Sequence, residues 1–186
     1  SWMRTWRIDY CKENPAWIYR EWDEKAIAGL LGRAQSICPQ RRRDITFKPV
    51  LGRRSLPWRQ CLAKLAAYYY REPTPHGRAD IARLLILYFY GGVYVDADSV
   101  WVKGSLDKFT DGGGVFAARE PGKPWLANGV IGASKRNQVI SSLIRRLACT
   151  DYDRARSADG PYSVTGPVLL NSERARVRVV PSVCFY

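Results

Sequence analysis

The chain has 186 residues, enough for one domain with a substantial core, and a composition of 46% hydrophobic and 12% aromatic residues excludes a disordered polymer. Thirty basic residues against seventeen acidic ones give a formal charge of +13, which points to a partner bearing phosphate or another anion. The longest uncharged apolar run, residues 84–95, is too short for the roughly 20 residues of a membrane-spanning helix. No signal peptide is visible, so a cytoplasmic location is expected.

In chain order, residues 2–22 mix tryptophans with charges around "ENPAW". Asn14-Pro15 marks a turn, and "WIYREW" reads as a short strand. Residues 24–34 read as a helix ending near Gly32. Residues 35–57 carry Pro39, Pro49 and Pro57 and read as loop. The basic peak lies at 41–59, where Arg41, Arg42, Arg43, Lys48, Arg53, Arg54 and Arg59 oppose only Asp44. It is a solvated face or a dock for an anionic membrane or acceptor. Residues 58–70 have helical spacing at Trp58, Leu62, Leu65 and Tyr69.

The strongest helix is "RADIARLLILYFY", 78–90, closed by Gly91-Gly92. His76, the single histidine, falls in the loop before it. "VYV" follows as a short buried strand, and "VWV" at 100–102 as another. A glycine-rich turn at 111–114 leads to strands at "VFAARE" and "NGVIGAS". An amphipathic helix at 137–148, a polar loop at 151–163, a helix or turn at "VTGPVLL" and a last strand at "VRVVP" complete the pattern. The alternation predicts an α/β protein with a mixed, mostly parallel sheet flanked by helices. Five cysteines (Cys11, Cys38, Cys61, Cys149 and Cys184) are widely spaced without a CxxC, which favours a reducing compartment over a disulfide framework or zinc site.

Two carboxylates, Asp96 and Asp98, stand at the end of the 93–95 strand. On a strand, residues i and i+2 face the same way, so both can reach one hard cation such as Mn²⁺ or Mg²⁺. The second Asp-x-Asp, Asp151 and Asp153, follows no buried strand and reads as a solvated turn. If the 80–90 helix packs antiparallel to the strand through the Gly91-Gly92 turn, Asp80 returns to the end that carries the acids. Arg83 lies one turn on from Asp80, on the same face, and interrupts an apolar helix, so it should pair with an acid or an anion.

The run "RADIARLLILYFYGGVYVDADS" closely resembles the sugar-nucleotide-binding region of DXD glycosyltransferases of the family 32 group. That group includes yeast initiating α-mannosyltransferases and related bacterial and viral enzymes, and the glucosylating clostridial toxins share the region. "TWRIDYCKENPAWIYREWDE", "LANGVIGASKRNQVI" and "VTGPVLL" extend the likeness patchily over the chain.

The resemblance implies a GT-A-like, Rossmann-like fold in a single domain, residues 1–186, that lacks the family's first strand. It implies a metal-dependent, retaining transfer of a hexose from a nucleotide-diphosphate sugar, UDP-sugars favoured, to a hydroxyl of a glycan, lipid or protein. Carried over by position, Asp98 ligates Mn²⁺ or Mg²⁺, and Asp96 contacts the metal and the donor. Asp80 and Arg83 hold the donor's sugar and diphosphate side, and Tyr94 lies beside the nucleoside. Asn128, Thr165 and Gly166 line the donor site. If the source is a virus or a bacterial effector, the expected location is the host cytoplasm. Three other classes compete, and a metal-dependent phosphatase or nuclease is disfavoured because two metals would need more acidic or histidine ligands than the sequence offers. A basic nucleic-acid-binding module leaves Asp96 and Asp98 unexplained and is disfavoured. A catalytically inactive relative would bind sugar nucleotide without transferring it.

Overall fold

The computed structural model describes residues 10–36, 56–99, 104–110 and 112–181. Helices α1 (Glu24–Ser36), α2 (Trp58–Arg71) and α3 (Pro75–Tyr90) precede the first described strand, β1 (Gly92–Val95). A short helical turn, α4 (Asp107–Thr110), leads to β2 (Val115–Arg119) and β3 (Leu126–Ala133). Then come α5 (Gln138–Cys149), α6 (Tyr152–Val164), α7 (Pro167–Asn171) and β4 (Val177–Val180).

The four described strands form one mixed sheet in the order β1-β3-β2-β4. The expected α/β architecture is present, and the structure corrects the expectation of a mostly parallel sheet. Among the described residues, β1 and β2 both pair antiparallel with β3, and only β2 and β4 run parallel. For β2 and β3 the reason is loop length. Only residues 120–125 separate β2 from β3, and so short a connection makes a hairpin, whereas a parallel crossover needs a dozen residues or more.

One face of the sheet carries the main core. Val115, Ala117, Ile131, Ala133 and Val177 pack with Leu62 and Leu65 of α2, Ile81 and Leu85 of α3, and Ile140, Leu143 and Ile144 of α5. The apolar residues of α5 recur every three or four positions, so one stripe is buried and the other face stays polar. The opposite face of the sheet holds a smaller cluster of Phe116, Ala118 and Val180, with Val93 and Phe109 against it.

Helix α3 sets the geometry of the site. Thr74 caps its start, accepting from the Gly77 N–H at 3.3 Å, and Pro75 occupies the first turn, where its missing N–H costs nothing. Gly91, at φ 71°, ends it with a bond from its N–H to Leu87 O. The chain then reverses directly into β1, which brings the first turns of α3 and the end of β1 to the same edge, as the sequence argument required.

Three local readings are corrected. Residues 17–22 form no strand, and Ile18 is 93% exposed. The 151–163 stretch is helix α6, kinked at Gly160, because Tyr152 and Val164 bury against the core despite the polar surface between them. Strand β1 is half-buried and lies at the sheet edge with β3 as its described neighbour, which leaves Val95 39% exposed. The 100–102 strand and most of the 41–59 basic segment lie outside the described residues.

Candidate active site

The site forms where α3, the end of β1, β3 and the α6–α7 elbow meet. Asp80, on the inward face of α3, is 6% exposed, and Arg83, one turn later, is 4% exposed. Arg83 Nη2 lies 3.0 Å from Asp80 Oδ1 and 3.0 Å from Asp96 Oδ1, so one guanidinium bridges two carboxylates. Its Nη1 donates to the main-chain carbonyl of Asn128, its Nε donates to Ala79 O at 3.5 Å, and its Cζ stands 4.7 Å from the centre of the Tyr94 ring. The fork geometry of arginine makes this possible, because a lysine has one nitrogen to share among these acceptors.

Asp80 is held from three sides. Asn128 Nδ2 donates to Oδ1 at 2.8 Å, and Thr165 Oγ1 donates to Oδ2 at 3.0 Å. Gly166 passes so close that a Cβ there would stand 3.2 Å from Oδ2 and 2.9 Å from Tyr162 O. Burial pushes the Asp80 carboxyl above its ordinary range, and the Arg83 charge and the two hydrogen bonds oppose that rise without cancelling it. Burial likewise raises Asp96, against the Arg83 charge and the Tyr94 hydroxyl that donates to it. Burial also raises the Tyr94 phenol.

The acidic pair departs from the strand picture. Strand β1 ends at Val95, and residues 97–98 form a turn in which the Ser99 N–H donates to Asp96 O at 3.1 Å. Alternation along a strand therefore does not govern Asp96 and Asp98. Asp96 turns inward to Arg83, with its side chain 31% exposed, while Asp98 is exposed and makes no ion pair with a described residue. Seven sequence candidates thus converge: Asp80, Arg83, Tyr94, Asp96, Asn128, Thr165 and Gly166. Asp98 is exposed, and His76, expected in the loop before the helix, instead lies exposed in the first turn of α3. Asp151 and Asp153 are exposed as expected, with Asp153 paired to Arg71. The main-chain carbonyl of Asn128 as an arginine acceptor was not legible in the sequence, since a backbone oxygen carries no residue signature.

No group of three or more His, Cys, Asp or Glu side chains that could hold a metal ion occurs among the described residues. The exposed Asp98 carboxylate and the partly exposed Asp96 carboxylate fit a different kind of site. A hard cation there would take one or two carboxylates and complete its shell from water and a substrate diphosphate.

The family model for the glycosyltransferase sugar-binding region containing a DXD motif matches residues 4–112, and the chain belongs to that family. A protein of Photorhabdus asymbiotica described as a toxin is 30% identical over 156 residues, covering 79% of this chain and 5% of the toxin. The solved structure of PaToxG glycosyltransferase superposes with a TM-score of 0.55 at 23% identity, over 92% of this chain and 61% of that one. The chain therefore spans only part of each relative, and the structural likeness supports the shared GT-A-like fold. Among the described residues, no helix is long and apolar enough to cross a membrane.

Proposed function

We propose that this chain moves a hexose from a nucleotide-diphosphate sugar, a UDP-sugar by preference, to a hydroxyl of a glycan, lipid or protein, with retention at the anomeric carbon. The observation that carries the reading is the bridge from Arg83 to both Asp80 and Asp96, 3.0 Å to each, at the carboxyl end of β1 beside an exposed Asp98. The carboxyl ends of strands are where open α/β sheets bind ligands.

In this reading Asp80 orients the donor sugar. Oδ1 is committed to Asn128 and Arg83, whereas Oδ2 takes the Thr165 hydroxyl and keeps a further lone pair for a sugar hydroxyl, with Gly166 packed closely beside it. The Asp80 charge also favours the positive character that grows at the anomeric carbon. Arg83 keeps Asp80 and Asp96 in place and supplies positive charge towards the donor's phosphate side. Tyr94 packs beneath the arginine and walls the nucleoside side. Asp98, with Asp96, would hold Mn²⁺ or Mg²⁺, and such an ion supplies Lewis-acid neutralisation of the leaving diphosphate. The acceptor's proton goes to the departing phosphate oxygen, because Asp80 is already engaged by Arg83, Asn128 and Thr165. An inverted product would rule that step out.

The test is a thermal-shift and calorimetric panel of UDP-glucose, UDP-galactose and GDP-mannose, with and without Mn²⁺, on the wild type and on Asp98→Ala. Binding to the folded state at a hundred times Kd stabilises by about 2.7 kcal/mol, a readily measured shift. Metal-dependent stabilisation by a UDP-sugar that Asp98→Ala abolishes is expected. Silence across the panel sinks the reading. Binding without any transfer or hydrolysis identifies an inactive relative.

A further inference from the structure

Glu72 lies outside the cluster around Arg83, between α2 and α3, and its side chain is fully buried. Five donors converge on it. Oε1 accepts from the Thr74 N–H at 3.0 Å, from the Thr74 hydroxyl and from Arg156 Nη2 at 3.2 Å. Oε2 accepts from the Tyr152 hydroxyl at 2.5 Å and from Arg156 Nε at 2.9 Å. Two of these residues, Tyr152 and Arg156, lie one turn apart on α6. The carboxylate occupies space that only a glycine at 77 leaves open, since a Cβ there would stand 2.6 Å from Glu72 Cδ.

The far end of α6 leads directly to the candidate site. The helix kinks at Gly160 (φ 72°, ψ 178°) and runs out into Thr165 and Gly166, which press on Asp80. Gly77 and Asp80 are three residues apart on one face of α3. Helix α6 therefore grips α3 twice along that face, through Glu72 at Gly77 and through Thr165 at Asp80, with the kink between.

We propose that Glu72 is a positioning residue for the donor acid: by fixing Tyr152 and Arg156 it sets where the arm beyond Gly160 delivers Thr165, and so how Asp80 faces the donor sugar. The role in catalysis rests on the glycosyl-transfer reading. The mechanical part does not, and it can be measured without a donor.

Two measurements on the wild type, Glu72→Gln, Thr165→Val and the double variant test it. Gln keeps the shape of Glu72 but loses the charge. In amide hydrogen exchange, Glu72→Gln should speed exchange across 160–166 while α5, 138–149, stays protected. Unchanged exchange across 160–166, or faster exchange spread evenly over both segments, overturns the proposal. In calorimetry with the three nucleotide sugars and Mn²⁺, Glu72→Gln should weaken donor binding by roughly tenfold or more. That loss should shrink to less than about threefold in the Thr165→Val background, because sites acting through one contact are not additive. A full loss that persists in that background overturns the route through Thr165. A wild type that binds none of the sugars overturns the transfer reading and the catalytic role with it, and the exchange result then still decides the mechanical claim. Should Glu72→Gln not fold, Tyr152→Phe removes one bond to Glu72 and serves in both measurements.

Discussion

Asn128 and Asp80 are 48 residues apart in the chain, yet the Asn128 side-chain amide donates to the Asp80 carboxylate at 2.8 Å. The same residue accepts Arg83 through its main-chain oxygen. Asn128 thus serves both members of the buried acid–arginine pair and ties the middle strand to α3. Asn128→Ala leaves Asp80 short of a donor in a site 6% exposed, and such a loss costs roughly 1–3 kcal/mol. Chemical denaturation should show that drop, and donor affinity should fall further than in an exposed control such as Gln138→Ala.

Arg83 has no interchangeable substitute. Removing one partner of a buried ion pair typically costs about 3–5 kcal/mol, because the other charge is stranded. Arg83→Ala strands Asp80 and half-strands Asp96, and it should lower the melting temperature by several degrees or abolish folding. Arg83→Lys should retain part of the stability but lose most donor binding, since one ammonium cannot reach Asp80, Asp96 and Asn128 O together. Equal donor affinity in wild type and Arg83→Lys would contradict the bridging role.

Gly132 tests the rear face of the sheet, away from the site. A Cβ at 132 would stand 1.9 Å from Phe116 Cε1, so Gly132→Ala forces the ring from its place. Overpacking of this kind costs roughly 1–3 kcal/mol. Phe116→Leu, itself destabilising, should recover much of that loss when combined with Gly132→Ala. A double-mutant cycle in urea gives the coupling, and strict additivity would mean that the ring does not lie over Gly132.

Acid stability should carry the mark of Glu72. Burial pushes its carboxyl up, but hydrogen bonds from Arg156, Thr74 and Tyr152 outweigh burial and hold it at about 2, below the ordinary 4.5. A depressed carboxylate binds fewer protons folded than unfolded, so its stabilisation is present above about 4.5 and lost as pH falls towards 2. Asp80 and Asp96 are raised and act oppositely, costing stability as pH climbs through their folded values. The Glu72→Gln variant should therefore show a flatter fall in unfolding free energy below pH 4.5 than the wild type. Parallel curves would mean that Glu72 is not held ionised in the folded state.

How much of the site the sequence revealed depended on distance along the chain. Asp80, Arg83 and Asp96 were found because one helix, one glycine turn and one strand link them, and the lengths of those elements fix where their ends meet. Glu72 was missed because its partners, Tyr152 and Arg156, lie 80 and 84 residues away in a stretch too polar to read as helix. The acidic pair fell between. Both residues were located, but the strand rule could not show that the chain turns after Val95, with Asp96 paired to Arg83 and Asp98 left exposed.

Residue order alone settled the α/β class, the spans of α2 and α5, α3 apart from its first turn, and the glycine reversal after Tyr90. Each of these rests on local periodicity or on torsion angles that only certain residues tolerate. Folding decided that Asp96 belongs to Arg83, that the β2–β3 hairpin makes the sheet largely antiparallel among its described strands, and that α6 clamps α3 at two points. Those outcomes depend on which distant groups lose water together. A buried charge accepts whichever partner the packing brings within reach, and no local pattern encodes that partner.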